Sequence, residues 1–385
     1  MGEKLKTVYF DNAATTFPKP EEVYFFMDKF YRECGANVGR GQHRLAARAT
    51  ALMEETRAML LELFHCSNKV VIFTSTATEA INLILNGLNI PKNANVYISP
   101  FEHNAVTRTL NHLQKEVNFN IEILSVDHDT LDYNISEIVD IFNEKPPFCC
   151  IVSHASNVCG AIAPIAKIFE ASKKHNSINI VDMCQTAGLI ETNLSSDIYD
   201  YAVFEGHKTL YGPMGIGGLV AKSSINISPM IYGGTGIESA NQDMPNEIPT
   251  KYEAGSHNIL AIAGLNAALK WISKIGVKNI YDKEQNRAKE LIRIMEKYDN
   301  ITIIKPKSMI GVVSCIFDEY SSDNIGQVFS DNDIAVRTGL HCAPLAHKFL
   351  GTFPAGTVRF SLGHFNDRND FDKLDQVLNY IMENS

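Results

Sequence analysis

Residues 69–88 read KVVIFTSTATEAINLILNGL, a strand-like apolar run that passes directly into a helical pattern. The same pairing recurs at residues 95–116 and 147–176, and further apolar strand patterns lie at 177–184 and 200–205. Strands that are apolar throughout and alternate with amphipathic helices are typical of a parallel sheet covered by helices on both faces. The sequence therefore predicts an α/β fold with a large, mostly parallel sheet.

The flanking sequence indicates a second, smaller region. Helical patterns precede the alternating block at EEVYFFMDKFYRE and RLAARATALMEETRAMLLELFH. Shorter strand patterns follow it, and a C-terminal helix is expected from about residue 368 to 382. We therefore expect residues 15–255 to form a large α/β domain, and residues 1–14 together with 256–385 to form a small α+β domain.

Composition excludes several classes of protein. The net charge of −9 and the lack of a Lys/Arg cluster argue against a nucleic-acid partner. No segment has the apolar length of a signal peptide or a membrane span, so no membrane association is expected. The 8 cysteines contain no CxxC pair, which predicts neither a disulfide framework nor a metal site. The expected location is the reducing cytoplasm.

Polar residues follow several of the predicted strands. In parallel sheets ligands collect at the carboxyl ends of the strands. Thr74 to Thr78 lie at the start of a helix, where free amides and the helix dipole favour an anion, although threonine capping of the helix explains the same residues. The next strand is followed by His103, which read alone is more often a satisfied polar residue than a catalyst.

A carboxylate and an amine lie at or just after the ends of two later predicted strands. Asp182 ends one apolar strand with Gln185 close behind, and Lys208 follows the next in the loop GHKTLYGP. A buried carboxylate needs a cation or a donor, or else caps a turn. Together, the anion site, a ring that can stack, a carboxylate and a lysine are what pyridoxal 5'-phosphate requires.

The ordered set of motifs resembles one enzyme family along nearly the whole chain. The motifs are YFDNAATTFPKP, TSTATEAINL, EHNAV, SHASNVCGAIAPI, VDMCQTAG, GHKTLYGPMGIGGL, YEAGSHN and RTGLHCAPL. They resemble the class V aminotransferase-fold enzymes, most closely the group II branch of cysteine desulfurases and selenocysteine lyases. The resemblance implies the aspartate aminotransferase-like fold of type I and a dependence on pyridoxal phosphate.

The resemblance also implies roles for the residues around the cofactor ring. Lys208 is expected to form the Schiff base with the cofactor and then to move the Cα proton. Asp182 is expected to pair with the pyridine nitrogen, while Gln185 and Asn157 lie near the phenolic oxygen. His103 is expected to stack on the ring and to assist proton transfer.

At the phosphate, the resemblance assigns Thr78, the backbone of Ala77 and Thr78, and His207. Ser256 is expected to reach the phosphate of the neighbouring subunit, which implies a homodimer with shared active sites. Relatives usually carry serine or threonine three residues before the lysine, whereas this chain has Glu205. A carboxylate beside a phosphate is repulsive, so we expect weaker cofactor binding than in relatives, improved by Glu205→Ser.

Cys342 and Arg359 match the residues that act on the substrate in the family. A cysteine in an apolar stretch is more often inert packing when read alone. By resemblance, Cys342 is the nucleophile on a small-domain loop, taking sulfur from L-cysteine as a persulfide and leaving L-alanine. Arg359 is expected to bind the substrate carboxylate, with Asn157 nearby. The compact loop predicts slow turnover alone and faster turnover with a sulfur-acceptor protein.

Several alternatives stay open. A selenocysteine lyase, acting on L-selenocysteine, shares all these residues, and another carbon-centred reaction such as transamination uses the same fold. A non-catalytic relative is favoured only by Glu205. A nicotinamide dehydrogenase rests on GPMGIGGL, which misses the dinucleotide fingerprint. The pathway, whether iron–sulfur cluster assembly, nucleoside thiolation or selenium metabolism, is not fixed by the sequence.

Overall fold

The computed structural model describes residues 7–39 and 41–383. The strands within these ranges are β1 (Val8–Tyr9), β2 (Lys69–Thr74), β3 (Asn95–Ile98), β4 (Asn120–Ile123), β5 (Pro147–Ser153), β6 (Ile178–Asp182), β7 (Tyr201–Glu205), β8 (Gly217–Lys222), β9 (Ile301–Ile303), β10 (Val312–Phe317), β11 (Ile334–Ala335), β12 (Arg337–Gly339) and β13 (Thr357–Ser361). The helices are α1 (Glu21–Cys34), α2 (Arg44–Leu63), α3 (Ala77–Gly87), α4 (Asn104–Glu116), α5 (Ile135–Glu144), α6 (Ile165–Lys173), α7 (Ile259–Ile275), α8 (Val277–Met295), α9 (Ser322–Asp331), α10 (Pro344–Phe349) and α11 (Arg368–Glu383).

A seven-stranded sheet with the order β2-β8-β7-β6-β5-β3-β4 forms the centre of the molecule. Its strands are parallel except β8, which runs antiparallel to both β2 and β7. Alternate residues of the strands other than β4 enter two different cores. Ile72 belongs to the core shared with α3 and α4, whereas Val71 and Phe73 belong to the core shared with α2, α6 and α7. Both faces are therefore buried, and the predicted α/β class with a large, mostly parallel sheet is confirmed.

The C-terminal region builds a second layer around a third core. A four-stranded antiparallel sheet has the order β12-β13-β10-β9 and packs with α8, α9 and α11. Near the N-terminus, β1 pairs in parallel with β11, in the register Val8 with Ile334. The predicted division at residues 14/15 and 255/256 stays a prediction, and residues 1–6 and 384–385 of the expected small domain lie outside the described residues.

The sequence patterns did not predict β4, α5, α8, α9 or α10. Strand β4 lies at the edge of the large sheet, where its four residues are partly or fully exposed and lack a continuous apolar run. In the two described ranges no single helix is long and apolar enough to span a membrane, although α7 and α8 meet that criterion together across a bend of 80°.

A buried ion pair fastens the first strand of the large sheet. Arg57 on α2 donates to both carboxylate oxygens of Glu253, at 2.9 and 2.6 Å, and to the carbonyl of Val71 at 2.6 Å. Glu253 also accepts from the amide of Phe73 at 2.6 Å. Both charged side chains are less than one-tenth exposed. The pair holds the edge strand β2, from which α3 begins, against α2.

We expect Glu253→Gln to lower the free energy of unfolding by about 3 kcal/mol, because it leaves the buried Arg57 charge with only the exposed Glu54 as counter-ion. Urea unfolding followed by circular dichroism measures the change. The matched control is Glu33→Gln, which removes an exposed partner of Arg48 and should leave the unfolding midpoint within error. Equal effects of the two variants would contradict the stabilising role of the buried pair.

Candidate active site

The parallel pairing of the strands brings the predicted residues to one edge of the large sheet. Ser153 pairs with Asp182, and Asp182 pairs with Val203, so β5, β6 and β7 end side by side. A pocket opens at this edge, next to the start of α3. Eight of the residues singled out from the sequence line it: Ala77, Thr78, His103, Asn157, Asp182, Gln185, Glu205 and Lys208.

Lys208 reaches the pocket from a turn that folds back on β7. The amide of Gly212 donates to the carbonyl of Gly206 at 2.8 Å. The amide of Tyr211 donates to the carbonyl of Lys208 at 2.9 Å. The hydroxyl of Thr16 also donates to the Lys208 carbonyl, at 3.0 Å. The backbone that carries the amine is therefore fixed from both sides of the loop.

Asp182 and Gln185 are both buried on the floor of the pocket. One carboxylate oxygen of Asp182 accepts from the amide of Cys184 at 2.9 Å, so the aspartate also caps the turn that follows β6. The side chain of Gln185 donates to the carbonyl of Ala13 at 3.0 Å. Cys184 lines the pocket as well, and burial raises the pKa of its thiol well above the ordinary value.

His103 stands at the start of α4, where its Nδ1 accepts from the amide of Ala105 at 3.0 Å. Burial, and next the charge of Lys208, lowers the pKa of His103 to about 4. The imidazole is therefore neutral at pH 7, and its Nε2 remains for other partners. The neighbouring Glu102 was given no role from the sequence, yet it is fully buried and binds Ser99 and Ser153, which ties the ends of β3 and β5 together.

The start of α3 forms the other end of the pocket. Gly217 on β8 passes so close that a Cβ there would lie 2.8 Å from the amide nitrogen of Ala77. That amide donates to Oε2 of Glu205 at 2.8 Å. Burial raises the pKa of Glu205 to about 7, although the Ala77 amide and Lys208 act in the opposite direction. Glu205 therefore points into the anion end of the pocket.

His207 lies beside Glu205 but does not line the pocket. Its Nε2 is 3.8 Å from Oε1 of Glu205. Its Nδ1 is buried and has no hydrogen-bond partner in the part of the chain that the structure describes. Burial lowers the pKa of His207 to about 4, so the ring is neutral at pH 7. A buried ring nitrogen without a partner is suited to a ligand that brings its own donor or acceptor.

The loop that carries Cys342 is fastened to the rim of the pocket by two hydrogen bonds. The amide of Asn104, next to His103, donates to the carbonyl of Cys342 at 2.7 Å. The side chain of Asn157 donates to the carbonyl of His341 at 2.7 Å. All eight cysteines lie within the described ranges, and seven are buried whereas Cys342 is partly exposed. This segment from near the C-terminus therefore meets the ends of β3 and β5.

Two features of this loop were not predicted from the sequence. The guanidinium of Arg337 lies 3.2 Å from Sγ of Cys342, although only the motif RTGLHCAPL hinted at Arg337. His341 and Cys342 also have positive φ angles of 48° and 58°. Two consecutive non-glycine residues in the left-handed region are costly, and such strain concentrates at functional sites. The backbone is therefore held to present the Cys342 side chain.

Arg359 and Ser256 do not line the pocket. Arg359 is 1% exposed, donating to the carbonyl of Asn157 at 3.0 Å and to a carboxylate oxygen of Asp11 at 2.6 Å. In the sequence, only the place of Asp11 in the motif YFDNAATTFPKP indicates a role for it, and nothing there predicts its ion pair with Arg359. Ser256 is exposed in a separate groove, where Asn37 donates to its hydroxyl at 3.4 Å. The expected contact of Ser256 with the cofactor phosphate of a neighbouring subunit stays a prediction.

The fold and the pocket agree with comparisons to known proteins. The family model described as Aminotransferase class-V matches residues 8–374, so the chain belongs to this family, whose members depend on pyridoxal phosphate. It is 32% identical to a cysteine desulfurase of Escherichia coli, over 96% of this chain and 92% of that one. It is 28% identical to a probable cysteine desulfurase of Methanothermobacter thermautotrophicus, over 97% and 94% of the two chains.

Solved structures show the same likeness. The apo structure of a cysteine desulfurase from Thermococcus onnurineus superposes with a TM-score of 0.92 at 28% identity, covering 98% of this chain and 95% of that one. A cysteine desulfurase of Escherichia coli, in an S-sulfonic acid form, gives a TM-score of 0.85 at 25% identity, with 98% and 95% covered. The resemblance drawn from the motifs and the expected fold of type I are confirmed.

The chemistry of the pocket fits pyridoxal phosphate. It holds a buried carboxylate at the end of β6 and a lysine amine from the turn after the adjacent β7, and the helix start supplies backbone amides. The ring of His207 lies outside the pocket lining but close to this end, with its Nε2 3.8 Å from Oε1 of Glu205. The one group that works against the fit is Glu205, whose carboxylate already takes the Ala77 amide.

We expect iodoacetamide to modify Cys342 first, because the other seven thiols are buried. Timed alkylation followed by peptide mass spectrometry measures the order of reaction. In Cys342→Ser the fast phase should vanish, whereas Cys315→Ser, which removes a buried thiol, should leave it unchanged. Fast labelling of Cys184 in the native protein would contradict the burial that the structure shows.

Proposed function

We propose that this protein is a pyridoxal phosphate-dependent cysteine desulfurase, which converts L-cysteine to L-alanine and takes up the sulfur as a persulfide on Cys342. The relatives named cysteine desulfurase, which match this chain over more than nine-tenths of its length, support the proposal. The observation that carries it is the position of Cys342. It is the least buried of the eight cysteines, and its loop is bonded to Asn104 and Asn157 at the rim of the pocket.

Five side chains are assigned to the cofactor ring. Lys208 supplies the amine for its aldehyde, and Asp182 the carboxylate for its pyridine nitrogen. Gln185 and Asn157 would hold its phenolic oxygen, and His103 would cover the face of its ring. When bound, pyridoxal phosphate withdraws electrons from the amino carbon of the substrate. Its phosphate is assigned to Thr78, to the amides of Ala77 and Thr78, to His207 and, from the neighbouring subunit, to Ser256.

Proton transfer is assigned to Lys208 and His103. Lys208 takes the proton from Cα of the substrate. Since the His103 ring is neutral at pH 7 and its Nδ1 accepts from an amide, Nε2 carries the ring proton and is the nitrogen that can donate a proton.

Arg359 is assigned to the substrate carboxylate. Asp11 and the carbonyl of Asn157 fix its guanidinium in one orientation, which suits two-pronged binding of a carboxylate. Because the carbonyl of the same Asn157 residue anchors Arg359 while its side chain holds the Cys342 loop, substrate and nucleophile are aligned from one position.

Sulfur transfer is assigned to Cys342. Its thiolate attacks the substrate sulfur, a sulfur–sulfur bond forms, and the carbon–sulfur bond breaks with its electron pair left on carbon. That carbon then takes a proton, which gives alanine. The guanidinium of Arg337, 3.2 Å from Sγ, stabilises negative charge on the thiolate.

A homodimer, a sulfur-acceptor protein and a cytoplasmic location belong to the same proposal. Ser256 supports the dimer, because it lies exposed and apart from the pocket of its own chain. The short loop between β12 and α10, which carries Cys342, supports a sulfur-acceptor protein. Such a protein must bind close to Cys342 to remove the sulfur from its persulfide. Iron–sulfur cluster assembly is the consuming process that we propose.

We expect the purified protein to absorb visible light through its lysine-bound cofactor, and this absorption to change when L-cysteine is added. Alanine and sulfur should be released in equal amounts. Lys208→Ala should lose both the absorption and the turnover, because the amine that holds the cofactor is gone. A matched control is Lys222→Ala, a lysine at the far end of β8 that should keep both. Absorption without any release of sulfur from L-cysteine would contradict the proposed activity.

A selenocysteine lyase is the second candidate, since it shares these residues. We expect Cys342→Ser to reduce the turnover of L-cysteine by at least a hundredfold, because no thiolate remains to take the sulfur. Parallel assays of L-selenocysteine distinguish the two activities. If the variant keeps its selenide release while the native protein barely acts on L-cysteine, the lyase replaces the desulfurase.

A further inference from the structure

Glu205 occupies an unusual position for an acidic side chain. It is the last residue of β7 and is 6% exposed, with Oε2 bonded to the amide of Ala77 at 2.8 Å. Its Oε1 is buried and has no hydrogen-bond partner within the described ranges. Gly217 on the adjacent strand leaves room for this approach, because a side chain there would collide with the same amide. The carboxylate thus behaves as a built-in anion at the start of α3.

We propose that Glu205 competes with the cofactor phosphate for the Ala77 amide, so that this chain loads pyridoxal phosphate preferentially when Glu205 is protonated. The inference rests on the proposed cofactor and its phosphate site. Ionised Glu205 would bring a second anion to the phosphate end of the pocket. Protonated Glu205 removes that repulsion and can donate a hydrogen bond to the phosphate.

The groups that face Glu205 come from each element packed against it. Asp182 and Cys184 approach from the end of β6, and Lys208 and His207 from the loop after β7. The neighbours on α3 and β8 are Ala77 and Gly217, which bring no charge. The ring of His207 and the thiol of Cys184 are neutral at pH 7, which leaves Lys208 and Asp182 as charges of opposite sign.

The direction in which pH changes cofactor binding follows from the protonation state of Glu205 that permits binding. The pKa of Glu205 is about 7, so its protonated fraction falls from about nine-tenths at pH 6 to about one-tenth at pH 8. An apparent dissociation constant is inversely proportional to the fraction of protein competent to bind. The loss of the proton from Glu205 therefore weakens cofactor binding by itself about tenfold between pH 6 and pH 8.

The test compares the native chain, stripped of cofactor, with Glu205→Gln by equilibrium dialysis against pyridoxal phosphate from pH 6 to 8. The amide has the shape of the acid but carries no charge at any pH. The ratio of the native dissociation constant to that of the variant should rise about tenfold across this range. Effects of pH that do not involve Glu205 are common to both proteins and cancel in the ratio.

A second ligand tests whether the pH dependence requires the phosphate group. Pyridoxal, which lacks that group, should give a ratio that stays flat with pH. Glu79→Gln is the matched control, because it removes a carboxylate from the first turn of the same helix, where Glu79 binds the amide of Ser75. It should retain the native pH dependence. If Glu205→Gln fails to fold, Glu205→Ser replaces it with the same expectation.

Equal dissociation constants for the native chain and Glu205→Gln from pH 6 to 8 would overturn the inference, as would the same rise with pyridoxal. The release of alanine and sulfur from L-cysteine is measured separately. A protein that shows the predicted pH dependence without releasing sulfur would contradict only the desulfurase proposal. A protein that releases sulfur with a flat ratio would contradict only the role of Glu205.

Discussion

The parallel pairing of β5, β6 and β7 is the constraint on which the site depends. Because the strands run in one direction, their carboxyl ends meet at one edge, and residues far apart in sequence become neighbours. Asp182 and Lys208 follow two adjacent strands of this set. The sheet can hold polar residues at this edge because both of its faces are filled by apolar side chains, so the strands have little freedom to move.

The C-terminal region completes what the large sheet begins. Its loop enters the rim with a strained backbone at Cys342, and this strain is tolerated because hydrogen bonds to Asn104 and Asn157 hold the loop on either side. Arg359 on β13 approaches from the same region, and β1 adds a parallel partner to β11. The N-terminal segment thereby contributes Asp11 to the arginine.

Much of this arrangement could be predicted because apolar runs mark buried strands. The helical pattern expected at the end of residues 95–116 is α4, and parallel topology brought the strand-end residues together. Contacts between distant segments could not be predicted. Nothing in a linear pattern shows that Asp11 meets Arg359 across 348 positions. The direction of Glu205 likewise depends on the close approach of Gly217, which is a property of the folded backbone.

The two hydrogen bonds of Asn157 have a further meaning. Its carbonyl orients Arg359 and its side-chain amide holds the loop of Cys342, so one residue is a common anchor for two parts of the molecule. The orientation of Arg359 and the position of the Cys342 loop therefore depend on the same residue, so that a substitution that moves Asn157 disturbs both.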